Sequence, residues 1–237
     1  MSTETKETTE KGADRAEAYT LLFEIENVAA GGRKAQFDAV KKAVSEAGGK
    51  LTPSLFSRHA MEPNPADYAE ELLAAAGAKD GGADKFIESV NNALNTYFQD
   101  RASIDAGLEK LVKAATSLGV SVGVVTSLSE EAAAQLLARL GLTDTAKVFQ
   151  VKDLEKGYPR ADSWLKASKQ FGRPSRNCIV VATCMTACKS ALSAGMRCIV
   201  VPDEFTGHQD FSGADIVLDT WDEMSAKEVL TTIVPAE

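Results

Sequence analysis

From residue 19 onward, short apolar runs of strand length alternate with stretches whose apolar positions recur at helical spacing. The runs are YTLLFEI, VSVGVVT, KVFQV, NCIVVA, RCIVVP and ADIVLD. Nearly continuous apolar strands suit a parallel sheet, because strands covered by helices on both faces have no solvent side to alternate with. The alternation is interrupted once. Residues 34–103 contain no strand-like run; KAQFDAVKKAVSEAG, NPADYAEELLAAAG and ADKFIESVNNALNTYF instead read as helices. Asn64 with Pro65 behind it marks a helix start and Gly77 a stop. The pattern predicts an α/β fold in which 19–33 and 104–237 build a parallel sheet core with helices on both faces, and 34–103 form an inserted, all-helical cap subdomain. Residues 1–18, MSTETKETTEKGADRAEA, are polar, mixed in charge and without apolar period, so a disordered tail is expected there.

Composition narrows the function classes. Among 237 residues, 26 basic against 34 acidic side chains give a formal charge of −8, which repels phosphate polymers and argues against nucleic acid as a partner. No apolar run approaches the roughly 18 to 20 residues of a membrane span, and the N-terminus lacks the apolar core of a secretory signal, so no membrane partner and a cytoplasmic location are expected. The four cysteines, Cys178, Cys184, Cys188 and Cys198, crowd into one region, two of them inside strand sequence, and imply no disulfide framework.

In a parallel sheet of this kind, ligands bind at the carboxyl ends of the strands. Those ends carry Glu24 and Glu26, then Thr126 and Ser127, then Lys156 after KVFQV, then Ala182, Thr183 and Cys184, then Asp203 and Glu204. Glu24 and Glu26 stand two apart, a spacing that puts both on one side of an extended chain. Carboxylates so placed are a usual way to hold a metal or to supply an acid/base pair.

These residues resemble the haloacid dehalogenase-like hydrolases, in particular the phosphoglycolate phosphatase and β-phosphoglucomutase branch, whose Rossmann-like core carries a helical cap after the first strand. The resemblance spans nearly the whole chain beyond the tail and is strongest in IVVATCMTACKSALSAGM, residues 179–196. In that family the first strand ends in FDxDGT, whose aspartates are the nucleophile and the general acid/base. The matching positions here are Glu24 and Glu26, in FEIENV. A glutamate keeps the charge but moves the carboxylate by about one bond, and misplacement on the order of 1 Å can cost about a hundredfold in rate. Thr126 matches the family's phosphate-binding hydroxyl, with Ser127 beside it, and Lys156 matches the lysine that neutralises phosphate. The acidic turn that completes the Mg²⁺ site falls on Ala182 and Thr183, neither of which has a carboxylate. Mg²⁺ wants hard oxygen ligands in near-octahedral geometry, so the metal site is expected to be lost.

The resemblance therefore implies a degenerate phosphatase-like protein that has lost Mg²⁺-dependent activity and keeps a role in binding a small anion, a phosphorylated metabolite or a protein partner, without a cofactor. The alternative is an active phosphohydrolase or phosphomutase acting on a small phosphorylated metabolite, with Glu24 as nucleophile and Mg²⁺ bound. Simpler roles stand beside these. Glu24 and Glu26 as remnants would have one pairing with Lys156 and the other facing solvent or capping backbone amides. Ser127 or Ser129 would cap the helix of SEEAAAQLLARL. Asp203 and Glu204 would lie in an ordinary solvated turn, with recruitment to a metal as the sharper role. Cys184 and Cys188, four apart at a helix start, would be buried thiols. The sharper role is a reactive thiol of lowered pKa at Cys184, or a soft-metal site with Met185. His59 and His208 read as exposed loop residues.

Overall fold

The computed structural model describes residues 17–79, 82–151 and 160–234. Residues 1–16, most of the expected tail, and Lys156 lie outside the described residues. Glu17 and Ala18 are tied to the fold, their carbonyls accepting from Arg173 and Asn177.

All six apolar runs form strands: β1 (Thr20–Glu24), β2 (Ser121–Thr126), β3 (Ala146–Gln150), β4 (Cys178–Ala182), β5 (Arg197–Val200) and β6 (Ile216–Val217). They pair in the order β3-β2-β1-β4-β5-β6, every ladder parallel. This is a Rossmann-like arrangement, with the order reversing between β1 and β4. The central strands β1 and β4 are buried along their whole length, which is why their sequences show no alternation.

Alternate side chains still go to opposite faces. Leu21, Phe23, Val122, Val124, Ile179 and Val181 pack on one side with α5 (Ala106–Ser117), α6 (Glu130–Arg139) and α9 (Ala226–Ile233). Leu22, Val125, Val180 and Ala182 pack on the other with Trp164 of α7 (Ala161–Gln170) and with Ala187, Cys188 and Ala191 of α8 (Met185–Ser193). Each fully buried Val, Leu, Ile or Phe side chain among these contributes about 1.5–3 kcal/mol.

Between β1 and α5 the described chain is helical: α1 (Gly32–Glu46), α2 (Pro53–His59), α3 (Ala69–Ala75) and α4 (Ala83–Asp100). Asn64 does cap a helical turn, accepting from the Ala66 amide at 3.2 Å, and Gly77 ends α3 at φ +69°. The helix α2 is absent from the sequence-based expectation. Thr52 caps it, accepting from the Leu55 amide, and Pro53 starts it, a Thr-Pro signal in a segment too short to show a period. His59 consequently ends a helix and pairs with the Glu71 carboxylate at 3.0 Å, so it is not an exposed loop residue. His208 does lie exposed in a turn. These helices enclose their own core of Val40, Val44, Phe56, Leu72, Phe86 and Val90. One member of that core comes from the far end of the chain: Phe205, on the loop after β5, lies 4.9 Å from the Phe37 ring and 5.0 Å from the Phe56 ring. No helix among the described residues is long and apolar enough to cross a membrane.

Candidate functional site

The crevice at the carboxyl ends of β1, β2 and β4 opens where strand order reverses, and its shape starts with the exit of β1. Strand geometry stops at Glu24, and Ile25–Ala29 wind into a π-helical turn closed by Ala30 N–H donating to the Ile25 carbonyl at 3.0 Å. π-turns are rare and recur at functional sites. The two-residue spacing that would align Glu24 and Glu26 on an extended chain therefore does not apply. The turn carries Glu26 toward β2 and leaves Glu24 at the strand tip. Tyr97 Oη braces the exit, donating to the Ala30 carbonyl at 2.6 Å. Gly31 follows with φ +61°, and at Gly32 a Cβ would lie 2.7 Å from the Glu26 carbonyl oxygen, so the chain turns back against itself only because that position has no side chain.

Both glutamates are buried, Glu24 to 5 % exposure and Glu26 to 7 %, and neither faces solvent. Glu26 Oε1 receives three hydrogen bonds from the end of β2: Thr126 Oγ1 at 3.0 Å, Ser127 N–H at 2.8 Å and Ser127 Oγ at 2.8 Å. Ser127 is thus occupied with Glu26, and the cap of α6 is Ser129, which accepts from the Ala132 amide. Burial raises the Glu26 pKa against the lowering effect of those donors, and Oε2 is buried without a hydrogen-bond partner. Glu24 Oε1 accepts from Asn27 Nδ2 at 2.9 Å. Its pKa is pushed up to about 8, by burial first and by the neighbouring Glu26 charge second, with Arg33 and Asn27 pulling the other way.

The third side of the crevice belongs to Arg33, in the first turn of α1 and 4 % exposed. Its Nη1 donates to Thr183 Oγ1 at 3.0 Å and to the Asp203 carboxylate. Asp203 is therefore not an ordinary solvated turn residue, although its neighbour Glu204 is exposed. Asp203 is held by its own loop: its Oδ1 accepts from Phe205 N–H, and its N–H donates to Thr206 Oγ1. Thr206 Oγ1 also reaches the Thr183 carbonyl at 2.6 Å. Burial works against the Arg33 charge, but Cys184, Asp203 and Glu24 around it outweigh that and raise its pKa.

Of the candidate residues, Glu24, Glu26, Thr126 and Ser127 converge, with Ala182, Thr183 and Cys184 across the crevice. Ala182 is fully buried in β4, and Thr183 presents a hydroxyl where a carboxylate was sought. Cys184 is the N-cap residue of α8, yet burial raises its pKa, the opposite of the lowering expected for a thiol at a helix start. The pKa of Cys188 is lowered by the thiol of Cys198 on β5, with no part played by Cys184. Among the described residues no group of three or more His, Cys, Asp or Glu side chains is placed to hold a metal ion. Arg33 and Asn27 were missed in the sequence. The signal for Arg33 was the Gly31–Gly32 pair directly before it, which marks a tight return of the chain toward the strand ends.

The model for the haloacid dehalogenase-like hydrolases matches residues 21–201. The protein YhcW of Bacillus subtilis (strain 168), which carries a provisional phosphatase name, is 24% identical over 211 residues, covering 86% of this chain and 92% of its own. Among solved structures, CbbY from Rhodobacter sphaeroides in complex with phosphate superposes with TM-score 0.69 at 16% identity, over 87% of this chain and 96% of its own. A CbbY mutant in complex with xylulose-(1,5)-bisphosphate gives 0.67 at 17% identity, with the same coverage of both chains. A β-phosphoglucomutase from Clostridium difficile gives 0.71 at 16% identity, over 90% of this chain and 96% of its own. The fold is that of the phosphatase and phosphomutase branch.

Proposed function

The chain belongs to the haloacid dehalogenase-like hydrolases, and from that premise we propose that its crevice takes a small phosphorylated metabolite and binds it without Mg²⁺-dependent hydrolysis, with the helical segment 34–103 as its cap. One observation carries the reading: Thr126 Oγ1, Ser127 N–H and Ser127 Oγ converge on a single oxygen, and the occupant is an anion, the Glu26 carboxylate. Three donors aimed at one oxygen form an anion seat, and a carboxylate oxygen there stands in for a phosphate oxygen. Donors buried at the strand ends suit a small ligand better than a protein partner. The phosphate and the bisphosphate held by CbbY are ligands of the same chemical class.

The donors do not fit Mg²⁺. That ion needs anionic oxygens in near-octahedral geometry. Here Ala182 and Thr183 bring no carboxylate, and Asp203 is committed to Arg33. The test is turnover of a panel of phosphate esters with added Mg²⁺. The expected result is no release of phosphate above background, together with saturable binding of inorganic phosphate by calorimetry. Mg²⁺-dependent turnover abolished by Glu24→Ala would overturn the loss of hydrolysis.

A second reading keeps the chemistry, as a phosphohydrolase or phosphomutase with Glu24 as nucleophile. The buried, unpartnered Glu26 Oε2 favours it, since a proton held there is available for donation to a leaving oxygen. The phosphatase and phosphomutase names of the relatives favour it as well. The same turnover experiment separates the two.

A further inference from the structure

We propose that the Arg33 guanidinium is the built-in cation of this site, standing where the family places a divalent ion, so that phosphate binds here in the absence of any metal. The proposal rests on the crevice being a phosphate site. Arg33 reaches Thr183, one of the two positions at which the acidic metal-binding turn is missing, and bridges from there to Asp203 after β5. A fixed positive charge at that point does what a bound cation would do electrostatically: it meets the Asp203 carboxylate in an ion pair. The chain could not hold both. A guanidinium bonded to Thr183 and Asp203 fills the space and uses the oxygen ligands that an ion would need.

Arg33 is also suited to a ligand. Among the described residues both of its side-chain hydrogen bonds leave from Nη1, whereas a guanidinium has five N–H donors in a planar fork that matches phosphate. Across β1 from it, Glu26 Oε2 is buried and unpartnered, a second polar group in the crevice that still lacks a partner.

The test measures inorganic phosphate binding by isothermal titration calorimetry, with EDTA and with Mg²⁺, on the wild type, Arg33→Met, Arg33→Lys and Asp203→Asn, with a urea midpoint for each. Binding to the wild type is expected to be equal in EDTA and Mg²⁺. Arg33→Met is expected to weaken it by about tenfold or more, the scale of one charge-assisted hydrogen bond, and Arg33→Lys, which keeps the charge but not the fork, to weaken it by less. Asp203→Asn is expected to tighten it, because the guanidinium loses its competing carboxylate. A strut that merely ties loop to helix predicts the reverse: Arg33→Met and Asp203→Asn break the same contact and shift binding in the same direction. If Arg33→Met does not fold, the lysine and asparagine variants decide. Same-direction shifts, or wild-type binding that requires Mg²⁺, overturn the proposal while leaving the phosphate site standing. Failure of phosphate to bind under either condition overturns the site reading and this proposal with it.

Discussion

Replacing Glu24 by Gln should stabilise the protein, and more so as pH rises. Glu24 is 5 % exposed, and its pKa stands at about 8 in the fold against 4.5 for the free side chain. The folded state therefore holds a proton that the unfolded chain has already released at neutral pH, and stability falls as pH rises. The contribution is complete below about pH 4.5 and is lost progressively up to about pH 8. At about 1.36 kcal/mol for each pH unit between the two values, the cost of ionising Glu24 in place approaches about 5 kcal/mol above pH 8 and about 3 kcal/mol at pH 7. Glutamine never ionises, and its Oε1 can still accept from Asn27. Urea unfolding of wild type and Glu24→Gln at pH 5, 7 and 9 is the assay. The gain should be within about 1 kcal/mol at pH 5, about 3 at pH 7 and up to about 5 at pH 9, and in a chain of this size about 3 kcal/mol is about 6–12 °C in Tm. Parallel stability curves for the two proteins, or a variant weaker than wild type at pH 9, would refute the reasoning that the strand tip is a desolvated acid.

Glu26→Ala vacates the seat at Thr126 and Ser127, so inorganic phosphate should bind more tightly to it than to wild type, and Thr126→Val should reverse the gain; calorimetry on both variants checks this. Phe205→Ala withdraws a ring from the helical core, and a loss of about 3–5 kcal/mol is expected in urea unfolding; a change under 1 kcal/mol would mean the loop does not anchor the helices. Cys184, buried and raised in pKa, should resist alkylation in the native protein at neutral pH, with labelling followed by mass spectrometry. Labelling of Cys184 at the rate of an exposed thiol would contradict its placement.

The strands were legible because their signal is local. A run such as CIVVA can be satisfied only by burial on both faces, and six such runs separated by helices allow little besides a covered parallel sheet. The seven residues of α2 were not legible, since one and a half amphipathic turns leave no period to read and only the Thr52–Pro53 cap announces them. At the site, Glu24, Thr126 and Thr183 were located correctly by being at strand ends. The orientation of Glu26 was not, because period-two geometry was carried two residues past the end of the strand. Asp203 was read as solvated because nothing near it in sequence opposes its charge. Its partner lies 170 positions away.

Residue order alone was enough for the sheet, the strand ends at which chemistry collects, the net acidic charge, and the absence of a carboxylate at 182 and 183. These follow from residue identity and from burial patterns that repeat within a few residues. The meeting of distant segments put Glu26 in an anion seat made by β2, closed the opposite side with Arg33 against Thr183 and Asp203, and buried Glu24 deeply enough to favour its proton at neutral pH. The anion seat and the Arg33 closure each depend on groups between about 100 and 170 residues apart meeting in hydrogen-bond contact. Local periodicity sets which face a side chain turns inward, but the charge that it meets there is set by the fold.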